Sequence, residues 1–145
     1  MRTVTVKTTL DHPIEVVWDF LVDNRNDEEW CPMVSDCELV EGEPAVGALY
    51  RYRQAQGGSQ PAITVTLRTT VADRPTALAW SAESGVAHDA RIGLSRHGEG
   101  TRLVQTNRVV LPNPLLQVAW FLGAQGVLRS QLRRLARALD AVTAA

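Results

Sequence analysis

Lysine is nearly absent: Lys7 stands alone beside fourteen arginines. That bias fits the base composition of a GC-rich bacterial genome better than any chemistry. Cysteine is scarce too. Cys31 and Cys37 form a single CxxxxxC pair with no second pair and no nearby histidine, which is neither a zinc nor a redox signature; two reduced structural thiols are expected. There is no excess of either charge, with 15 basic against 16 acidic residues. This excludes a global field for nucleic acid or anionic membrane, so any such affinity must come from a local site. The longest apolar stretch, Leu115 to Leu128, is interrupted by Gln117 and Gln125 and is too short to span a bilayer. No charged region followed by an apolar stretch opens the chain, so a cytoplasmic location is expected. Internal repeats, a Gly-rich phosphate loop, GxSxG, HExxH and a nucleotide-binding fingerprint are all missing.

What is present fits one domain of 145 residues. Thr3 to Thr9 alternate as a strand. Asp11-His12-Pro13 then offers a cap and a first-turn proline to a helix of about ten residues, in which Ile14, Val17, Phe20 and Leu21 recur at helical spacing. Asn24 to Glu29 are polar, and Trp30 to Val34 reads as a short second helix broken by Pro32. Six period-two runs follow: Cys37 to Glu41, Ala48 to Gln56, Ala62 to Ala72, Thr76 to Ser84, His88 to Ser95 and Arg102 to Leu111. Their separators are short and turn-like, which predicts sequential antiparallel pairing. Asn113-Pro114 caps a long helix reaching about Val142, roughly 43 Å at 1.5 Å per residue. Its first half is apolar nearly all round and calls for apolar partners on several sides. In its second half Leu128, Leu132, Leu135, Leu139 and Val142 form a stripe opposite Arg129, Arg133, Arg134 and Arg137, which read as a solvated face.

This order of elements, with Asn26-Asp27-Glu28-Glu29-Trp30-Cys31-Pro32-Met33-Val34, then Cys37 to Gly42, Val46-Gly47 and Gly98 to Arg102, resembles the START-like or helix-grip (SRPBCC) superfamily, and within it the polyketide cyclase/dehydrase branch. The resemblance covers nearly the whole chain. It implies an α+β helix-grip fold, a curved antiparallel sheet of about seven strands around a long C-terminal helix with two short helices after the first strand. It also implies an apolar ligand of lipid, hormone or polyketide type, or its cyclisation, in secondary metabolism. The superfamily shares no catalytic residue, so no catalytic role carries over.

Alternation along the strands selects the cavity lining. It puts Tyr50, Tyr52 and Gln54 inward, then Ile63, Val65 and Leu67, then Leu78, Trp80 and Ala82, a bulge being able to shift the last set by one. His88 joins Ala90, Ile92 and Leu94, with Asp89 and Arg91 outward, and Gln105 and Asn107 join Leu103 and Val109. An apolar wall with a few polar groups is what a small-molecule site needs. His88 is the one inward histidine, and a base of that type could take a proton from a carbon acid or hydroxyl while Tyr50 or Tyr52 donates to the developing oxyanion. No inward carboxylate is visible to help it. Trp30, Glu28 and Glu29 fall at the expected mouth, and Trp120 of the long helix lines or fills the space. Three functions stay open: a cofactor-free cyclase, dehydratase or isomerase with His88, Tyr50 and Tyr52 as catalytic groups; a carrier or sensor of an apolar metabolite; and an interaction protein whose cavity is filled by its own aromatics. No cofactor, metal, nucleic acid or membrane span is expected, and homodimerisation stays open.

Overall fold

The computed structural model describes residues 3–144. Seven strands form one antiparallel sheet in the order β1-β7-β6-β5-β4-β3-β2. They are β1 Thr3–Leu10, β2 Val34–Glu41, β3 Leu49–Gln54, β4 Ile63–Asp73, β5 Ala77–Ser84, β6 Ala87–His97 and β7 Gly100–Val110. Consecutive strands from β2 to β7 pair as a meander, and β1 returns beside β7 with Val6 opposite Gln105. The helix-grip architecture expected from the sequence is therefore present. The irregularities in pairing leave extra residues in β2, between Ser35 and Glu38 and between Leu39 and Glu41, in β4 at Thr70, and in β5 at Glu83, so the β5 bulge falls beyond Ala82. Gly85 turns the β5–β6 hairpin at φ 93, and a Cβ there would collide with the Thr64 carbonyl, so glycine is required.

Helix α1, Ile14–Leu21, buries Ile14, Val17, Trp18, Phe20 and Leu21, and the Trp18 indole donates to the Ala77 carbonyl at 3.1 Å. Its start departs from expectation. Pro13 is itself the cap residue, with φ −58 and ψ 148, and no side chain caps the helix. The second short helix also lies elsewhere than expected. It is a 3₁₀ helix over Asn24–Glu29, in the polar stretch, opened by the Asp23 carboxylate accepting from the Arg25 backbone N–H at 3.0 Å. Asn26 Nδ2 ties it to the Phe20 carbonyl at 2.9 Å. Trp30 ends this helix, and after Pro32, which has no N–H to continue a helical ladder, β2 begins at Val34, three residues earlier than expected.

The long helix α2, Pro114–Ala144, is opened by the Asn113 side chain accepting from the Leu115 N–H at 2.8 Å. Ala124, Leu128, Leu132, Leu135 and Leu139 are buried, a single stripe against the sheet. Val142 is 54% exposed and drops out of the stripe, because the last turn, residues 140–144, is exposed throughout its described part. The larger departure is the first half. Leu115, Leu116, Val118, Leu122 and Val127 are 46 to 80% exposed, so the expected apolar partners on several sides are absent among the described residues. The helix has a sheet on one side only. No helix is long and apolar enough to cross a membrane among the described residues.

Candidate functional site

Because α2 spans the concave face without filling it, a cavity of about 550 Å³ lies between helix and sheet. Strand parity delivers Tyr52, Gln54, Leu67, Trp80 and Ile92 to its wall. His88, Gln105 and Asn107 reach it from β6 and β7, Trp30 from the end of the 3₁₀ helix and Trp120 from α2. Small residues on the flank of α2, Ala119, Gly123 and Ala124, leave the space open on the helix side.

Six residues expected inward are not in the wall: Leu78, Ala82, Leu94 and Leu103, which pack in or against the core, together with Tyr50 and Val65. Tyr50 is fully buried and its hydroxyl donates to the Val22 carbonyl at 3.4 Å, so it belongs to the packing beneath the α1 end. Burial pushes its phenol up to about 12. Val65 is fully buried opposite Tyr52 and is used up in core packing. Tyr52 does line the cavity, and its hydroxyl makes no hydrogen bond within the described residues. Burial raises its phenol above the ordinary range, with the nearby Asp27 adding to the shift, so it holds its proton and serves as a donor.

Asp27 is the residue that sequence reasoning passed over. It lines the cavity from the 3₁₀ helix, with Asn24 Nδ2 donating to its Oδ2 at 2.9 Å. Burial pushes its carboxyl up to about 7, opposed by the contacts with Asn24 and Trp30. The Trp30 indole N–H sits close enough to favour the carboxylate but makes no bond of proper geometry. Glu28 and Glu29, singled out at the mouth, are exposed and do not line the cavity; Glu28 instead accepts from the Asp36 N–H at 2.8 Å and ties the 3₁₀ helix to β2. Cys31 touches the cavity, and burial raises its thiol well above the usual range; Cys37 is likewise pushed up to about 12. Both are free thiols held protonated, far from the thiolate that metal binding or attack requires.

His88 is half-buried, and its Nε2 lies 2.9 Å from Asn107 Oδ1. An amide oxygen accepts, so Nε2 carries the proton and Nδ1 the lone pair. Beside it the wall holds polar atoms with no protein partner. Asn24 Oδ1, Trp30 Nε1, Trp80 Nε1, Gln105 Oε1 and Asn107 Nδ2 are buried and unpaired, and all five belong to cavity residues. They lie just beneath the cavity surface. Among the described residues no three His, Cys, Asp or Glu side chains gather as a metal set.

A family model described as polyketide cyclase / dehydrase and lipid transport matches residues 1–140. The fold is shared with solved structures of low identity. Protein TTHA0849 of Thermus thermophilus is 19% identical with a TM-score of 0.81, over 97% of this chain and 99% of that one. Protein NE0264 of Nitrosomonas europaea is 16% identical with a TM-score of 0.78, over 99% and 97%. SA2116 of Staphylococcus aureus, a protein of unknown function, is 9% identical with a TM-score of 0.79, over 99% and 96%. No curated protein sequence matches this chain significantly.

Proposed function

Since the chain belongs to the polyketide cyclase / dehydrase and lipid transport family, we propose that it binds an apolar, oxygen-bearing small molecule, polyketide-like or aromatic, in the cavity beneath α2. The observation that carries this reading is the set of five unpaired polar atoms in a predominantly apolar wall. Each buried polar atom left without a partner costs roughly 1–3 kcal/mol, a penalty that a ligand or ordered water relieves. Three of the five are N–H donors, on Trp30, Trp80 and Asn107, and their complement is a carbonyl or hydroxyl oxygen. The aromatic and aliphatic wall supplies the affinity, and these groups set the orientation.

On such a ligand the cavity supports cofactor-free acid–base chemistry: cyclisation, dehydration or isomerisation. His88 Nδ1 is the base that accepts a proton from a carbon acid or hydroxyl, and Tyr52, its proton firmly held, hydrogen-bonds the oxyanion that forms. A carboxyl poised near neutrality at Asp27 is a second proton-exchanging group in the same space. Tyr50 has no part in this. A carrier or sensor reading is favoured by one contact, the Asn107 bond that occupies one nitrogen of His88, because a bonded histidine is also what a purely recognising wall contains.

Native mass spectrometry of the purified protein beside its denatured mass tests the binding reading. A co-purified small molecule, or uptake of apolar carbonyl-bearing probes, is expected; an empty protein that takes up none of them overturns it. With the ligand identified, His88→Ala separates the two forms of the reading. Lost turnover with retained binding supports catalysis, and unchanged turnover removes His88 from the chemistry.

A further inference from the structure

The outward face of α2 is divided in two. Over its first turns Leu115 and Leu122 stand 80 and 75% exposed, with Leu116 and Val118 beside them. Steps of seven and four residues keep Leu115, Leu122, Arg129 and Arg133 on one side of the helix, and Arg137 follows a turn later. These three arginines are exposed, and none makes a hydrogen bond or ion pair within the described residues. Arg134 lies on the flank toward Cys31 and is left out of the set. No carboxylate interrupts this surface. Between Glu99 and Asp140 the sequence holds no Asp or Glu, and Asp140 is bonded to His12 Nε2 at 2.7 Å.

We propose that this face of α2 is a docking surface for an anionic lipid bilayer, the leucines entering the acyl boundary and Arg129, Arg133 and Arg137 meeting headgroup phosphates. A helix with exposed leucines at one end and unpaired arginines along the same side has the chemistry of an interfacial amphipathic helix. Charge selects this occupant. A second copy of the chain would bring no carboxylate from its own α2 face to meet the arginines, and nucleic acid would have no use for the leucines. Position agrees as well. Val127, half exposed, and Ala119 and Gly123 of the same helix line the cavity, so the docked face lies beside the space that an apolar ligand dissolved in a bilayer would enter. This inference stands apart from the ligand reading, since an empty cavity leaves the outer face unchanged.

The test is co-sedimentation of the full chain with phosphatidylcholine vesicles, with and without phosphatidylserine, at low and high salt. The wild-type protein is expected to pellet with the anionic vesicles, at least about tenfold more weakly with neutral ones, and to be released by salt. Two variants change only exposed positions. Arg129→Gln/Arg133→Gln/Arg137→Gln should lose the preference for anionic vesicles, and Leu115→Gln/Leu122→Gln should lose binding to both. Protein that stays in the supernatant with every vesicle overturns the proposal, as does a leucine variant that binds like wild type. A native-mass dimer that Leu122→Gln dissolves also overturns it, by assigning the face to a second copy. So does an arginine-dependent, leucine-independent retention on oligonucleotide.

Discussion

Asn107 Oδ1 sits 2.9 Å from His88 Nε2, diagonally across the β6–β7 pairing in which His88 faces Val109 and Asn107 faces Ala90. That contact orients the only cavity histidine and selects its tautomer. Replacing Asn107 with leucine, of similar size, removes both the bond and an unpaired amide nitrogen. Stability should change by no more than about 1 kcal/mol. The imidazole nitrogen shifts in an NMR spectrum should move from one dominant Nε2–H tautomer to a mixture; shifts identical to wild type would mean that something other than Asn107 holds the ring.

Asp27 makes stability depend on pH in a direction opposite to most carboxylates. Its folded pKa, about 7, lies above the ordinary value of 3.8, so between these values the folded state binds the extra proton. Stability contributed this way is present in acid and declines as pH rises from about 4 through 7, by at most about 4 kcal/mol. Asp27→Asn keeps the shape and an oxygen facing Asn24. Thermal melts should show the variant close to wild type at pH 5 and more stable at pH 8. Parallel curves at both pH values would show that the carboxyl is ionised throughout.

The two tyrosines of β3 should separate cleanly. Tyr50→Phe gives up one long hydrogen bond to the Val22 carbonyl and should cost under about 1 kcal/mol with no change in ligand affinity. Tyr52→Phe should leave stability near wild type and weaken an oxygen-bearing ligand roughly fivefold to tenfold. Titration of the co-purified molecule by native mass spectrometry distinguishes them, and equal effects would return Tyr50 to the site.

Gly123 lines the cavity, and a Cβ built there meets nothing within 4 Å. Glycine inside a helix costs roughly 0.5–1 kcal/mol relative to alanine. Gly123→Ala should therefore stabilise the fold by about that amount. Gly123→Phe should hold or raise the melting temperature while displacing ligand from the space. A melt lowered by the phenylalanine would mean that this part of the cavity cannot accept an aromatic ring.

Period-two alternation made the strands legible, because one face of every strand but the edge strand β2 carries buried residues and the turns between them are short and rich in glycine. Their ends moved by one to three residues, where pairing, not pattern, decides. The same alternation brought Tyr52, Gln54, His88, Gln105 and Asn107 to the cavity. It misplaced Tyr50 for a physical reason: parity states which face a side chain takes, not how far along the sheet it stands. Asp27 escaped because the polar run Asn24–Glu29 has no apolar period to read. A signal was there in the three-residue spacing of Asn24 and Asp27, which stacks side chains in a 3₁₀ helix. Apolar character around the first half of α2 read as burial, yet a helix lying on one sheet can bury only one side.

The β1–β7 seam has a consequence in time. Thr3 pairs with Arg108 and Leu10 with Thr101, so the earliest strand to leave the ribosome finds its partner only after the other six have been made. Until then its Val4, Val6 and Leu10 form an unprotected edge, available to any neighbouring chain. Closure by contacts so distant along the chain belongs to the slower end of small-domain folding, on the order of milliseconds to seconds. The nascent protein thus passes through an interval in which its first strand is its most vulnerable part.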